Sequence, residues 1–186
     1  MENDLFDTAL IYFNAEEYKK ALKIYYQILS DNLDDCKAYY NVALTYHMMQ
    51  ETELAIAYYN KAIKINKNDI RSINNLAKIY YLQLGLVDIA QQFLDKAIKI
   101  EPNDAESYNT YGMICFDKKD YKRAKLYFQK SINLDNNYFK NYYDLAKVYF
   151  ELKEIIKAKE NIEKCIKLNP DFELAKELKN SIYSLL

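Results

Sequence analysis

The stretch YYNVALTYH, residues Tyr39–His47, has four counterparts elsewhere in the chain. They are LFDTALIYF (Leu5–Phe13), INNLAKIYY (Ile73–Tyr81), YNTYGMICF (Tyr108–Phe116) and YYDLAKVYF (Tyr142–Phe150). The five copies begin at residues 5, 39, 73, 108 and 142, so the spacing is 34 or 35 residues. A period of this length is typical of repeat proteins, in which each repeat is one supersecondary unit that packs on its neighbours.

Large and small residues occupy fixed positions within each nine-residue copy. The first position is large, the eighth is a tyrosine or cysteine, and the fifth is small. The small residues are Ala9, Ala43, Ala77, Gly112 and Ala146. Positions i, i+4 and i+7 lie on one face of an α-helix. The pattern therefore predicts a helix that approaches a neighbouring helix closely at the small residue.

A second helical stretch follows each copy, and it contains an alanine at a constant place. These alanines are Ala21, Ala55, Ala90, Ala124 and Ala158. Each repeat is thus predicted to be a hairpin of two helices of about 13 residues, roughly 20 Å long. We place the repeats at residues 2–35, 36–69, 70–104, 105–138 and 139–172, with one extra residue in the segment Leu82–Val87.

The remaining segment, ELAKELKNSIYSLL at residues 173–186, predicts a final helix. Its expected apolar stripe consists of Leu174, Leu178, Ile182 and Leu185. The last repeat of a stack would otherwise expose an apolar face, so we expect this helix to cap it.

The fourth copy reads Tyr-x₂-Tyr-Gly-x₂-Cys from Tyr108, followed by Ala-x₃-Phe from Ala124. The fifth reads Tyr-x₂-Leu-Ala-x₂-Tyr from Tyr142 and closes with Pro170. These motifs resemble the tetratricopeptide repeat, W-x₂-L-G-x₂-Y…A-x₃-F…P over 34 residues, although the tryptophan is absent. The resemblance covers residues 2–172. It implies an all-α fold, a right-handed α-solenoid of five helix-turn-helix repeats plus the C-terminal capping helix, in a single domain of residues 1–186.

The charges are balanced, with 26 basic and 27 acidic side chains and a net charge of -1. This balance disfavours nucleic acid or an anionic membrane as the main partner, and only two residues are arginine, which argues against RNA binding. No segment reaches the roughly 18 apolar residues of a membrane span, and the first residues lack a signal-peptide pattern. We therefore expect a cytoplasmic protein without membrane insertion.

The sequence contains no arrangement of residues that indicates catalysis. The three cysteines, at 36, 115 and 165, have no metal-site spacing, and we expect free thiols, buried at Cys115 and Cys165. His47 is the only histidine, and the two glycines are isolated, so no phosphate-binding loop is predicted. The prediction is a protein that is not an enzyme, with no catalytic residue, no metal site and no cofactor.

In the resembled family, the first helix of each repeat lines a concave surface that binds partner proteins. When the family's groove-facing positions are carried over to the matching positions of this sequence, the resemblance implies a peptide-binding groove. Its predicted residues are Phe6, Phe13, Tyr40, Asn41, His47, Asn74, Asn75, Lys78, Tyr81, Asn109, Phe116, Tyr143, Lys147 and Phe150. The aromatic members could contact a peptide, with Asn41 and Asn75 bonding its backbone. Alternatively, the rings pack mainly between neighbouring helices.

The leading functional hypothesis is a scaffold that binds a protein or peptide partner in this groove. Basic residues on the same helical faces could hold an acidic peptide, although the carboxylate clamp known in the family is not recognisable here. They are Lys37, Arg71, Lys78, Lys140 and Lys147. The alternative is a self-assembling structural module, a possible homo-oligomer, in which Phe6, Leu10 or Phe13 would be exposed at the N-terminal end.

Overall fold

The structure is a computed structural model that describes residues 2–186, with side chains from residue 4 onward. The described residues form eleven α-helices and contain no β-strand. They divide into two compact units, Met1–Ile100 and Glu101–Leu186. The prediction of an all-α fold built from helical hairpins is confirmed, and the arrangement agrees with five repeats. The single-domain organisation stays a prediction.

Unit 1 contains three hairpins. They are α1 (Glu2–Asn14) with α2 (Tyr18–Asp31), α3 (Cys36–Met48) with α4 (Thr52–Ile65), and α5 (Ile70–Lys78) with α6 (Val87–Ile100). The first helix of a hairpin also packs on the second helix of the preceding one, as α3 does on α2 and α5 on α4. These first helices therefore lie between two second helices, as the repeat pattern predicts.

Unit 2 contains two hairpins and the terminal helix. The hairpins are α7 (Ala105–Asp117) with α8 (Tyr121–Leu134) and α9 (Phe139–Glu151) with α10 (Ile155–Leu168), and the last helix is α11 (Glu173–Tyr183). Helix α11 packs on α10 and α9, which is the position expected of a cap on the last hairpin.

The small-residue columns are buried between helices. Ala9, Ala43, Ala77 and Ala146 are completely buried, and so are all five alanines of the second helices. At Gly112 the contact leaves no room for a side chain, because a Cβ placed there would lie 2.6 Å from the Phe128 ring of α8. The ring thus packs directly on the α7 backbone, which explains the glycine.

The turn inside every hairpin has one residue in the left-handed backbone region. These residues are Glu16, Gln50, Gly85, Lys119 and Lys153, with φ between 58° and 66°. In the α7–α8 turn, the Lys119 amide donates to the Phe116 carbonyl at 2.8 Å and the Asp120 amide to the Cys115 carbonyl at 2.9 Å. This is the Schellman arrangement, which favours glycine because a Cβ is strained there. Only one of the five hairpins supplies a glycine.

The extra residue of the third repeat is accommodated inside a helix. After α5 the chain continues as a π-helical turn, Ile79–Gln83, in which the Leu84 amide donates to the Ile79 carbonyl at 3.2 Å. The sequence alignment assigns the extra residue to Leu82–Val87, whereas the structure begins to absorb it three residues earlier. π-helical turns of this kind are commonly single insertions within α-helices.

The capping helix corrects one sequence prediction. Its buried face consists of Ala175, Leu178 and Ile182, whereas Leu174 is 52% and Leu185 is 55% exposed. The predicted stripe was therefore wrong for both leucines. Alanine at 175 permits close approach to the preceding hairpin, which turns Leu174 outward, and α11 ends at Tyr183, before Leu185.

The cysteines behave as small core residues. Cys115 and Cys165 are buried, as predicted, and all three cysteines are free. Burial raises the pKa of the Cys165 thiol to about 11, so this thiol is protonated at neutral pH. Among residues 2–186, none of the helices combines the length and the apolar composition that crossing a membrane requires.

Replacing Lys119 with glycine should raise the free energy of unfolding by about 0.5–1 kcal/mol, because glycine adopts positive φ without the steric cost of a Cβ. Urea denaturation followed by circular dichroism measures the change. Lys118→Gly is the matched control, since the neighbouring Lys118 has a φ of -75° and a glycine there should destabilise. A Lys119→Gly variant that is no more stable than Lys118→Gly would contradict the left-handed backbone conformation of Lys119.

Candidate functional site

A network of buried polar side chains joins α7 and α9 in unit 2. The Asn109 Nδ2 atom donates to Asn141 Oδ1 at 2.8 Å and contacts Asp144 Oδ2 at 3.4 Å. All three residues are buried. Buried polar groups are costly unless they are hydrogen-bonded, so these partners fix one another's positions on the two helices.

Lys147 lies at the edge of this network, on the surface. Its Nζ atom is 3.5 Å from Asp144 Oδ1, 4.6 Å from the Phe116 ring centroid and 5.3 Å from the Tyr143 centroid. The lysine side chain is 33% exposed. An ammonium group has three donors, and this one can therefore bind an incoming acceptor while it contacts the two rings.

The predicted aromatic residues of unit 2 are half-buried between helices. The Tyr143 ring packs edge-on against Phe172 at 5.1 Å, and the Phe116 ring contacts Tyr121 at 5.5 Å. Phe150 is half-buried too, with the Lys153 ammonium 5.5 Å from its centroid. These rings therefore take part in helix packing and still present part of their surface to solvent.

The environment of Asp144 disfavours its ionised form. Burial raises the pKa of this carboxyl group, and the Lys147 charge, the Asn109 hydrogen bond and the Lys140 charge offset the effect only in part. A carboxylate retained in such a place lowers stability at neutral pH. Ionisable groups in environments of this kind are found frequently at functional sites.

In unit 1, the predicted residues of α3 and α5 have partners on their own helices. The Asn41 Nδ2 atom donates to the Lys37 carbonyl and the Asn75 Nδ2 atom to the Arg71 carbonyl, each at 2.9 Å. The Arg71 guanidinium also lies 4.4 Å from the Tyr40 ring centroid. Both asparagines are half-buried and keep an amide oxygen that can accept a hydrogen bond from a ligand.

His47 belongs to a hydrogen-bonded bridge that the sequence did not predict. Gln83, in the π-helical turn, accepts from Thr52 Oγ1 at 3.0 Å, and its Nε2 atom lies 3.0 Å from His47 Nε2. With the Gln83 amide in this orientation, the glutamine donates to His47 Nε2, which assigns the imidazole proton to Nδ1. This Nδ1 is buried and has no hydrogen-bond partner within residues 2–186. Burial, and then the Lys78 charge, lower the pKa of His47.

Four predicted groove residues are almost completely covered. They are Phe6, Asn74, Tyr81 and Asn109. Phe6 packs on Tyr25 at 6.2 Å with the Lys37 ammonium 4.0 Å from its ring, so Phe6 does not provide the exposed residue that would be consistent with self-assembly. Phe13 is half-buried against Tyr18, and Leu10 is exposed as expected. Direct ligand contact by the fourteen residues stays a prediction.

Sequence reasoning missed a column of lysines on the second helices. Lysine recurs six residues after the aligned alanine in repeats 2–5, at Lys61, Lys96, Lys130 and Lys164. Three of these ammonium groups lie over the first tyrosine of their own repeat, at 5.6 Å (Lys61, Tyr39), 4.0 Å (Lys130, Tyr108) and 4.4 Å (Lys164, Tyr142). The column is visible in the alignment and could have been found there.

Two family profiles match the chain. The one described as "Tetratricopeptide repeat" matches residues 36–69, and "Anaphase-promoting complex, cyclosome, subunit 3" matches residues 83–165. The chain is a tetratricopeptide-repeat protein. No curated protein sequence matches this tetratricopeptide-repeat protein.

Solved structures share its fold. A thermophilic TPR protein of Thermus thermophilus is 16% identical with a TM-score of 0.80, and the match covers 100% of both chains. YrrB, a TPR protein with an unusual peptide-binding site, is 22% identical with a TM-score of 0.63, over 95% of this chain and 90% of YrrB. The APC/C hetero-tetramer Cut9-Hcn1 contains a chain 17% identical with a TM-score of 0.88, over 98% of this chain and 36% of that one.

The lowered pKa of His47 predicts a specific loss of stability in mild acid. Between the folded pKa and the unfolded value of about 6.5, the unfolded chain binds more protons, so the free energy of unfolding rises with pH. Thermal melts at about pH 7.5 and pH 5.5 should show a larger decrease for the wild type than for His47→Gln. The chain has one histidine, so the difference between the two slopes reports on His47 alone. Equal slopes would contradict the buried neutral imidazole.

Asp144→Asn should raise the free energy of unfolding at about pH 7 by about 1 kcal/mol, because it removes a buried charge. The raised pKa means that the folded state holds the proton more tightly, so the wild type loses stability as pH rises above about 4. The advantage of the variant should therefore shrink towards low pH. Denaturation at about pH 7 and at about pH 4 measures the difference in the free energy of unfolding between the variant and the wild type. Asp171→Asn, at an exposed position, is the control. A variant less stable than the wild type at neutral pH would refute this account.

Proposed function

We propose that this protein is a non-catalytic scaffold that binds a peptide segment of a partner protein on the faces of its first helices. The fold is one used for protein–protein interaction, and the peptide site is the specific part of the proposal. The observation that carries it is the cluster of Asp144, Lys147, Phe116 and Tyr143 in unit 2, which we name the lysine–aromatic cluster.

The lysine–aromatic cluster has the chemistry of a binding site. Lys147 presents donors at the surface, and the partly exposed rings of Phe116 and Tyr143 flank it. A peptide that places a carboxylate or a main-chain carbonyl on Lys147 could also pack an apolar side chain on the rings. The buried Asp144 holds the ammonium in place, so little side-chain freedom is lost on binding.

The similar structures support the same class of function. YrrB has an unusual peptide-binding site, and Cut9 occurs in a hetero-tetramer with Hcn1. By analogy with these structures, we propose that the present chain binds a protein partner. We also propose that it forms a single domain, lies in the cytoplasm and has no enzymatic activity. Within unit 1, we propose that the predicted groove residues of α3 and α5 contact a protein partner.

A second candidate function, self-assembly, is favoured by the exposure of Ile11 on α1. Its equivalents in the other repeats, Thr45, Ile79, Ile114 and Val148, are at most 1% exposed, whereas Ile11 is 67% exposed. Helix α1 thus exposes an apolar side chain at a position that is buried in the first helix of each later repeat. A second copy of the chain could cover it.

The peptide site can be tested with sequences selected from a random peptide library. Lys147→Ala should weaken the binding of selected peptides roughly 30-fold, the effect of losing a contact worth about 2 kcal/mol. The matched control is Lys164→Ala, because Lys164 also contacts a tyrosine ring but lies on α10. Fluorescence anisotropy measures both dissociation constants.

The double variant Asp144→Asn/Lys147→Ala separates binding from folding, because it leaves no unpaired buried charge. Equal affinity for the wild type and both Lys147 variants would overturn the proposed site. Analytical ultracentrifugation tests the alternative. A mass that rises with concentration in the wild type and not in Ile11→Asp would support self-assembly, and a monomer at all concentrations would exclude it.

A further inference from the structure

We propose that unit 1 carries a second interaction surface, which binds a peptide segment that combines acidic and apolar side chains. The surface is a groove between the α2–α3 connection and α4. It has a volume of about 590 Å³ and is lined by Leu33, Asp34, Tyr39, Lys61, Lys64 and Ile65. None of these residues belongs to the predicted concave groove, so the inference does not depend on the proposed function.

A smaller cavity extends this groove along the end of α2. It has a volume of about 250 Å³, and it shares Leu33, Tyr39 and Lys61 with the first cavity. Its other lining residues are Tyr26, Leu29, Ser30 and Tyr58. The two cavities therefore form one continuous depression, which we call the tyrosine groove. Its lining residues come from α2, the α2–α3 connection, α3 and α4, and an open groove of this kind suits a peptide segment.

The floor of the tyrosine groove is held rigid by contacts among tyrosines. The Tyr26 hydroxyl lies 2.9 Å from the hydroxyls of Tyr46 and Tyr58, and the Tyr58 ring stacks on Tyr46 at 5.5 Å and on Tyr39 at 6.2 Å. These contacts join α2, α3 and α4 in one cluster. A floor that is already ordered binds a ligand at a smaller entropic cost than a mobile one.

The rim of the tyrosine groove exposes an unusual apolar residue. Leu33, in the α2–α3 connection, is 71% exposed. The equivalent positions of the other repeats hold Lys67, Pro102, Asn136 and Pro170, which are turn-forming or polar residues. With Ile65 also partly exposed on the opposite side, the groove has an apolar rim, and exposed apolar patches with a polar border mark interaction sites.

Two lysines give the tyrosine groove its preference for acidic ligands. The Lys61 ammonium lies 4.3 Å from the Tyr58 ring centroid, and Lys64 is one helical turn further along α4. Neither lysine has a carboxylate partner within the part of the chain that the structure describes. Carboxylates of a peptide complement this end, while Asp34 at the other side of the groove would repel them and so orient the peptide.

The equivalent place in unit 2 lacks these features. There the Lys130 ammonium donates to the Tyr108 hydroxyl at 2.7 Å, so the tyrosine of its own repeat already occupies it. The residues that correspond to Leu33 are Pro102 in the connection before repeat 4 and Asn136 in the connection before repeat 5. The same lysine–tyrosine packing is thus present in both units, but only unit 1 adds an apolar rim. Unit 2 consequently supplies matched control variants.

The test uses a short fluorescein-labelled peptide in which glutamate alternates with leucine, and a second peptide with lysine in place of glutamate. We expect the glutamate peptide to bind the wild type in an anisotropy titration. Lys61→Glu/Lys64→Glu should weaken it at least about tenfold and improve binding of the lysine peptide, because the charge is reversed. Leu33→Asp should weaken the glutamate peptide too, and Lys130→Glu/Lys164→Glu should leave it unchanged.

Results of three kinds would overturn the proposal. The first is no binding of the glutamate peptide up to millimolar concentration, or equal binding to wild type and Lys61→Glu/Lys64→Glu. The second is loss of binding in Lys147→Ala, which would place the peptide at the lysine–aromatic cluster of unit 2. The third is a concentration-dependent mass that Leu33→Asp abolishes, which would show that a second copy of the chain fills the groove. Thermal melting confirms that the groove variants, all at exposed positions, remain folded.

Discussion

The close approach of two helices at a side chain no larger than a methyl group is the constraint on which every hairpin depends. At Gly112 even the methyl group is missing, because the Phe128 ring fills the space. Larger side chains fill the remaining volume, as Tyr59 does beside the α3–α4 contact. Twenty tyrosines in one chain are compatible with this core, because a tyrosine can bury its ring at such a junction and keep its hydroxyl near the surface.

The fold could be predicted from the sequence because the same pattern of large and small residues occurs in all five repeats. A column seen five times identifies a buried face even when single residues vary, as where cysteine replaces tyrosine at position 115. Helix α11 has no such support from copies. Its apolar residues are compatible with two neighbouring stripes, and only packing on the preceding hairpin selected the one centred on Ala175. The burial of a residue near the end of the chain, such as Phe6, also depends on contacts with other helices, which the sequence of its own helix does not show.

The candidate sites were predicted only in part, for a related reason. The column positions of Tyr143 and Lys147 follow from the repeat, but the partners that define their chemistry do not. Asn141 belongs to no motif, and its bond to Asn109 spans 32 residues. The tyrosine groove depends on a departure from the repeat, Leu33, and alignment reasoning gives such departures little weight. If the tyrosine groove is a binding site, its chemistry comes from a position at which the sequence differs from its own repeat pattern.

The π-helical turn shows how such differences can arise without harm to the core. The third repeat has one residue more than the others, yet Ala90, Leu94 and Ala97 of α6 are as completely buried as their counterparts in α4. The extra residue is accommodated within the π-helical turn. It changes only the surface, where Gln83 contacts His47 and Thr52. One inserted residue at the end of a first helix thus gives a repeat different surface chemistry while the packing of its second helix is retained.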